Sequence, residues 1–309
     1  MKRHILTQLL SIIFFGIILT STAWSGQVVT EEIRQWASRV IEQDKILKTD
    51  SGIKTVAILY FNNKTGQARL DPLQKGLTLM LINDLSFVEA LRAVERVRLQ
   101  AVIEEMGVGV AGLVGTDTAP RVGKILGARW LVTGDILKED LNSIHIESSI
   151  LDTYDQQVYS LPRAEGTWEA FVNIEKYLLF RIIESLKIEL TLEERALLKK
   201  PLTKNINALL DFFKAIDESD RGNYRLAERY YERALKSDPD ISYTGLYLGE
   251  LRSLELVDSI HVNDRELMHS LRAGTSLTDR HSSGITTKRE QRPEVDNTSI
   301  NIGILLPSF

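Results

Sequence analysis

Three glycines, Gly107, Gly109 and Gly112, spell G-x-G-x-x-G, a spacing that lets a backbone turn approach a pyrophosphate. That chemistry needs the turn to follow a strand and open a helix, so that backbone N–H groups meet the phosphates. Here a helical pattern at Arg96–Met106 precedes the glycines, and the next helix start, at Asp117 and Pro120, comes only later. The glycines therefore read as an interhelical loop, and Gly107 and Gly109 can serve there as a contact surface. His145, His261, His269 and His281 form no metal-ligand spacing such as H-E-x-x-H, and His145 falls on a strand, facing solvent or a neighbour. The pairs Glu104–Glu105 and Glu193–Glu194 lie on helices, where adjacent residues point to different sides, so they read as solvated faces and not as acid–base dyads. No serine occupies a G-x-S-x-G turn. Cysteine is absent, which excludes disulfides, thiolate-held zinc, iron–sulfur clusters, thiol catalysis and an acylated N-terminal cysteine. No catalytic residue, metal or cofactor is expected, and the chain reads as a non-enzyme.

Composition narrows the partners. Of 309 residues, 43% are hydrophobic and 26% charged, ordinary values for a globular chain. The net charge is −4, or −6 once Lys2 and Arg3 are set aside, and no basic stretch is concentrated enough for nucleic acid. Lys2 and Arg3 precede the apolar run Leu9–Leu19, and Ala23 and Ser25 supply small residues at −3 and −1 of a cleavage site. Residues 1–25 thus read as a secretory signal peptide, too short in its apolar run to cross a bilayer, and the mature chain as periplasmic.

The elements that would position any site follow in order. Gln27–Lys48 reads as an amphipathic helix capped by Thr30. Thr55–Phe61 is a continuous apolar run, the pattern of a strand buried on both faces. Asp71 and Pro72 start a helix whose Leu73, Leu77, Met80, Leu81 and Leu85 mark one face. A short strand at Arg92–Val94 leads to the Arg96–Met106 helix, and a helix from Asp117 is stopped by Gly127. Trp130–Gly134 is again a buried-type strand, and Ile144–Leu151 with Gln157–Leu161 forms a hairpin about Asp152–Asp155. Glu165–Leu186 reads as a long helix closing the sheet. The fold class is therefore α/β over residues 50–190, a mixed sheet covered by helices. A small all-α unit at 191–258 opens with the capping box Thr191–Glu194 and continues as a helical hairpin, Asn205–Asp220 and Tyr224–Ser237, and a third helix at Ile241–Val257. Residues 259–309 read as linker and tail.

Several residues fall in an ordered set: Val56–Phe61, Gly76–Leu77, Met80–Leu81, Asp84–Leu85–Ser86, Val94–Glu95–Arg96, Leu99, Asp117, Val122–Gly123–Lys124, Leu126–Gly127–Ala128 and Leu131–Gly134. This order resembles the CsgG-like family of cell-envelope proteins, which includes the curli secretion channel and FlgO-like proteins and shares an α/β core with the N-terminal domain of TolB. The resemblance covers about 53–190 and implies scaffold roles for these residues, with Glu95 or Arg96 capping or pairing at the strand-to-helix turn. The curli channel carries long membrane hairpins in two intervals that correspond here to Leu137–Ser143 and Leu161–Gly166. A membrane strand takes about 9–11 residues, so neither interval holds a hairpin. The resemblance thus implies a non-enzymatic accessory of envelope assembly or transport, with other envelope or secretion proteins as partners and room for peripheral outer-membrane association and a homo-oligomer. Residues Ala215, Gly222, Asn223, Tyr224, Ala227, Tyr231, Ala234, Leu235 and Pro239 resemble a tetratricopeptide repeat, with Asp211 at a position usually aromatic. Its hairpin either docks on the first domain or on a partner, or forms a peptide groove, and Tyr224, Tyr230 and Tyr231 are its candidate contact residues.

The last nine residues, Asn301–Phe309, form another β-like run. It reads as a strand for a free sheet edge, as the truncated start of a periplasmic ligand-binding domain, or as an outer-membrane insertion signal, which Pro307 opposes. The second reading makes the chain the front part of a solute-binding or sensing protein.

Overall fold

The computed structural model describes residues 26–43, 54–109, 118–138 and 143–257. Among them, seven strands form one mixed sheet: β1 (Thr55–Ile58), β2 (Asn62–Asn63), β3 (Arg92–Ala93), β4 (Trp130–Lys138), β5 (Ser143–Asp152), β6 (Val158–Ser160) and β7 (Ala164–Thr167). The order is β3-β1-β4-β5-β6, with β2 beside β4 and β7 beside β5. β1 runs parallel to β3 and β4, whereas β5 is antiparallel to β4, β6 and β7. The N-terminal helix, α1, spans Glu31–Glu42. Parallel neighbours need crossovers, and helices supply them: α2 (Pro72–Leu85) between β1 and β3, then α3 (Arg96–Met106) and α4 (Thr118–Ile125) before β4.

Layering explains the unbroken apolar run at β1. Side chains alternate across a strand, so Val56 and Ile58 enter one core, shared with α2 and α5 (Phe171–Ser185). Ala57, Leu59 and Tyr60 enter a second core, shared with α3 and α4. Both faces of β1 are dry.

Local signals set some boundaries and distant partners moved others. The helices at Arg96–Met106 and Tyr224–Ser237 have the expected ends. The capping box closes α6 (Leu192–Leu198): Glu194 N–H donates to Thr191 Oγ1 at 3.1 Å, and Thr191 N–H to Glu194 Oε2 at 2.7 Å. α1 starts later than expected, because Gln27 and Val28 give their N–H groups to the Glu250 carboxylate; residues 44–48 lie outside the described residues. Asp71 does not cap α2. It is itself helical (φ −54°, ψ −38°), and its Oδ1 accepts from Asn63 Nδ2 at 2.7 Å. The strand expected at Trp130–Gly134 runs on to Lys138, since β5 pairs with it along that whole length. The long helix expected from Glu165 begins at Phe171, because Ala164–Thr167 pairs with β5 and a 3-10 turn, Trp168–Ala170, intervenes. Backbone groups there are satisfied by a ladder that no local pattern announces.

After α6 come α7 (Ile206–Asp220), α8 (Tyr224–Ser237) and α9 (Thr244–Ser253). Asn205 caps α7, its Oδ1 accepting from the N–H groups of Asn207 and Ala208. An aromatic cluster fills these helices, with Phe212 and Tyr247 stacked at 5.9 Å between centroids. Phe213 lies so close to Gly76 of α2 that a Cβ there would fall 2.3 Å from its ring. One hydrophobic core consequently runs from β1 through α2 and α5 into α7–α9, and the helical unit is docked on the sheet-bearing one.

Candidate functional site

The glycine motif has the geometry of a helix stop. Gly107 ends α3 in the left-handed region (φ 63°), and Val108 N–H returns to Ile103 C=O at 3.3 Å. Gly107 and Gly109 are exposed; Gly112 and Asp117 lie outside the described residues. His145 does not face solvent: it is buried between Leu137 of β4 and Glu165 of β7, with Nε2 3.6 Å from Glu147. His261, His269 and His281, the signal peptide, the linker and Asn301–Phe309 all lie outside the described residues. Among the described residues, no group of three or more His, Asp or Glu side chains could hold a metal ion. Glu104 is half-buried and Glu105 exposed, and both also meet α1: Glu104 accepts from Arg34 and Gln100, and Glu105 from Ser38 at 2.7 Å. Glu194 also accepts from Glu89 N–H at 2.9 Å; that bond and the one from Thr191 hold its carboxyl below the usual carboxylate range.

Of the three tyrosines on α8, Tyr231 is a core residue. It is fully buried, its hydroxyl donates to Gln27 Oε1 at 2.6 Å, and burial pushes the phenol well above its ordinary pKa. Tyr230 is half-buried beneath Lys214 and Arg233, whose cations sit 5.7 and 5.3 Å from the ring centroid. Tyr224 lines an open hollow of about 470 Å³ with Gly222, Asn223, Arg225, Leu226 and Leu256. The structure therefore does not bring the five sequence candidates together: Gly107 caps α3 and Gly109 follows it in the loop, while the three tyrosines lie on α8.

The groups that could do chemistry converge where the two helical layers meet, and there they bind one another. Arg96, with 1% of its surface exposed, donates from Nη1 to Asp220 at 2.8 and 3.1 Å and to the Tyr60 hydroxyl at 3.2 Å, and from Nη2 to Gln27 C=O at 2.5 Å. Lys75 adds a second cation, 2.9 Å from Asp220 and 3.3 Å from Asp217. Tyr60 in turn donates to Gln100 at 2.7 Å, and burial raises its pKa. A second cluster joins α2 to α5, where Asp84 pairs with Lys176 and lies against Glu175. Glu175 is fully buried; burial first and the Asp84 charge second push its carboxyl well above the ordinary range. Asp84 is raised as well, chiefly by burial. Both clusters are largely buried, with Lys75, Asp84 and Lys176 partly exposed, and bind layers together.

Phe87, Tyr177, Leu192, Leu226 and Leu254 are exposed singly, and a cluster of three exposed apolar side chains lies at the opposite end of the sheet. β6 is an edge strand, and Tyr154, Val158 and Tyr159 in and before it are 65%, 63% and 46% exposed. An edge strand presents unpaired backbone groups along its outer side, so apolar side chains there make a surface suited to another protein. Sequence reasoning placed this hairpin but not its exposure. The usable signal was three strand-forming residues beside the polar turn Asp152–Asp155, with no later segment assigned to cover them.

Residues 41–144 match the family model described as the curli production assembly/transport component CsgG. Over this region the chain is CsgG-like. The CsgG-like region spans α2, α3, α4 and strands β1–β4, the layer that holds Arg96 and Asp84. No curated protein matches the sequence. Among solved structures, the LpoB C-terminal domain from Salmonella enterica is similar at 12% identity and a TM-score of 0.32, covering 44% of this chain and 98% of that one. Lipoprotein GNA1162 from Neisseria meningitidis is similar at 10% identity and TM-score 0.34, over 45% and 99%. TolB from Acinetobacter baumannii is similar at 15% identity and TM-score 0.31, over 45% of this chain but 29% of that one.

Proposed function

We propose that the protein is a non-enzymatic accessory of the bacterial cell envelope that works in the periplasm by binding other envelope proteins. The observation that carries this reading is the CsgG match over residues 41–144. Edge strand β6 and the adjoining turn, with Tyr154, Val158 and Tyr159, supply the contact surface. Two further observations support it. The buried charges pair with each other, Arg96 with Asp220 and Asp84 with Lys176, and so serve the scaffold. The intervals between β4 and β5 and between β6 and β7 are too short for membrane hairpins, which favours an accessory over a channel. Envelope assembly or transport in general is proposed, without assignment to curli.

The test is periplasmic crosslinking followed by pull-down, comparing the exported chain with a Val158→Glu, Tyr159→Glu variant. Capture of envelope proteins by the parent chain, lost in the variant, is the expected result. Equal capture by both would remove β6 as the contact surface. Recovery of the chain in salt-resistant outer-membrane vesicles, and not in the osmotically released fraction, would contradict a periplasmic accessory.

A further inference from the structure

The carboxylate of Glu250 holds the segment before α1 across a long sequence separation. Gln27 N–H donates to its Oε2 at 2.7 Å and Val28 N–H to its Oε1 at 3.2 Å, although the partners are 223 and 222 residues apart. The chain just before them is pressed on the same group: a Cβ at Gly26 would stand 2.3 Å from Oε1 and 3.1 Å from the carboxyl carbon. Standard bond geometry therefore puts the Gly26 nitrogen within roughly 5 Å of that oxygen. Glu250 is buried to 9% exposure, and among the described residues it makes no ion pair. Arg96, the cation nearest in electrostatic effect, spends its N–H groups on Asp220, Tyr60 and Gln27 C=O. Burial raises the Glu250 carboxyl pKa, as expected for a carboxylate that lacks a cation.

We propose that the chain is cut between Ser25 and Gly26 and that the α-ammonium group so formed docks on Glu250. Water is the co-reactant. As the Ser25–Gly26 peptide bond breaks, hydroxyl goes to the Ser25 carbonyl and hydrogen to the Gly26 nitrogen, which then takes up a proton. A retained leader leaves a neutral amide at this position. The cut leaves a positive charge against a desolvated carboxylate, a charge-assisted contact stronger than a neutral one. Glycine at residue 26 fits this role, since any side chain would push the carboxylate off the Gln27 and Val28 donors. Processing is thereby coupled to the joint itself, because Gln27 also accepts from Tyr231 and, through its C=O, from Arg96. The inference does not depend on the proposed envelope partner or on β6.

Two measurements test it together. Intact mass and N-terminal sequencing of the chain exported with its own leader should give a start at Gly26; any other start, or an uncut chain, overturns the proposal. Purified chains starting at Gly26 and at Ser25 are then compared by thermal unfolding, with and without Glu250→Gln. The chain with the extra residue should melt about 2–4 °C lower, the shift that roughly 1 kcal/mol produces in a domain of this size. That gap should vanish in the Glu250→Gln background, which retains an acceptor oxygen but no charge. Equal melting of the two parent chains, or a gap that persists in the Glu250→Gln background, would overturn the role of Glu250.

Discussion

The joint around Arg96 and the edge at β6 solve opposite problems. At the joint, charged groups from four helices, Lys75 on α2, Arg96 on α3, Asp217 and Asp220 on α7 and Glu250 on α9, are dehydrated and held by one another and by Tyr60 and Gln27. At the edge, Tyr154, Val158 and Tyr159 stay in water without a covering layer among the described residues. Buried charge is costly unless every partner is in place, so the joint fixes geometry and tolerates little change. Exposed apolar side chains contribute little to stability, so the edge tolerates substitution that the joint does not. Charge thus serves the fold here, and the apolar edge is the surface proposed above for recognition.

Removing one member of the joint gives the largest expected effect. Arg96→Met strands Asp220 beside Tyr60 in a dry site and should cost about 3–5 kcal/mol in urea unfolding. A cost under about 1 kcal/mol would mean that Lys75 alone holds Asp220. Next comes Gly76→Ala, which drives a methyl into the Phe213 ring and should cost about 1–3 kcal/mol by separating α2 from α7.

Glu175→Gln sharpens the comparison through pH. Burial and the neighbouring Asp84 charge raise the Glu175 carboxyl in the folded state above its unfolded value of about 4.3. The folded pKa is raised, so the parent's stability from this group is complete below the unfolded pKa and falls as pH rises toward the folded one. The Gln variant cannot titrate, so unfolding measured from about pH 4 to 8 should show its stability, relative to the parent, improving as pH rises. The smallest effect on stability belongs to the edge: Tyr159→Ser should stay within about 0.5 kcal/mol of the parent while reducing capture of envelope proteins.

Much of this architecture was legible in the sequence, and the reasons differ by element. α3 was fixed locally by its apolar spacing and by Gly107, and the capping box at Thr191 by two residues three apart. The burial of β1 on both faces was legible because an unbroken apolar run has no polar side to offer water. β7 was not, since its pairing with β5 depends on residues about twenty positions earlier and its own sequence permits a helix. Arg96 was readable as a scaffold residue at a turn, but its partner Asp220 lies 124 residues away. Tyr231 reads from its repeat motif as a contact residue; its full burial and its hydrogen bond to Gln27, 204 residues away, make it a core residue.

The most direct measurement is site-specific photocrosslinking in the exported chain, with the probe placed in turn at Tyr159 and at Leu192, which is 87% exposed on α6. Adducts with envelope proteins from position 159 and none from 192 are expected if β6 is the recognition edge. Adducts from 192 alone, or from neither, would contradict it.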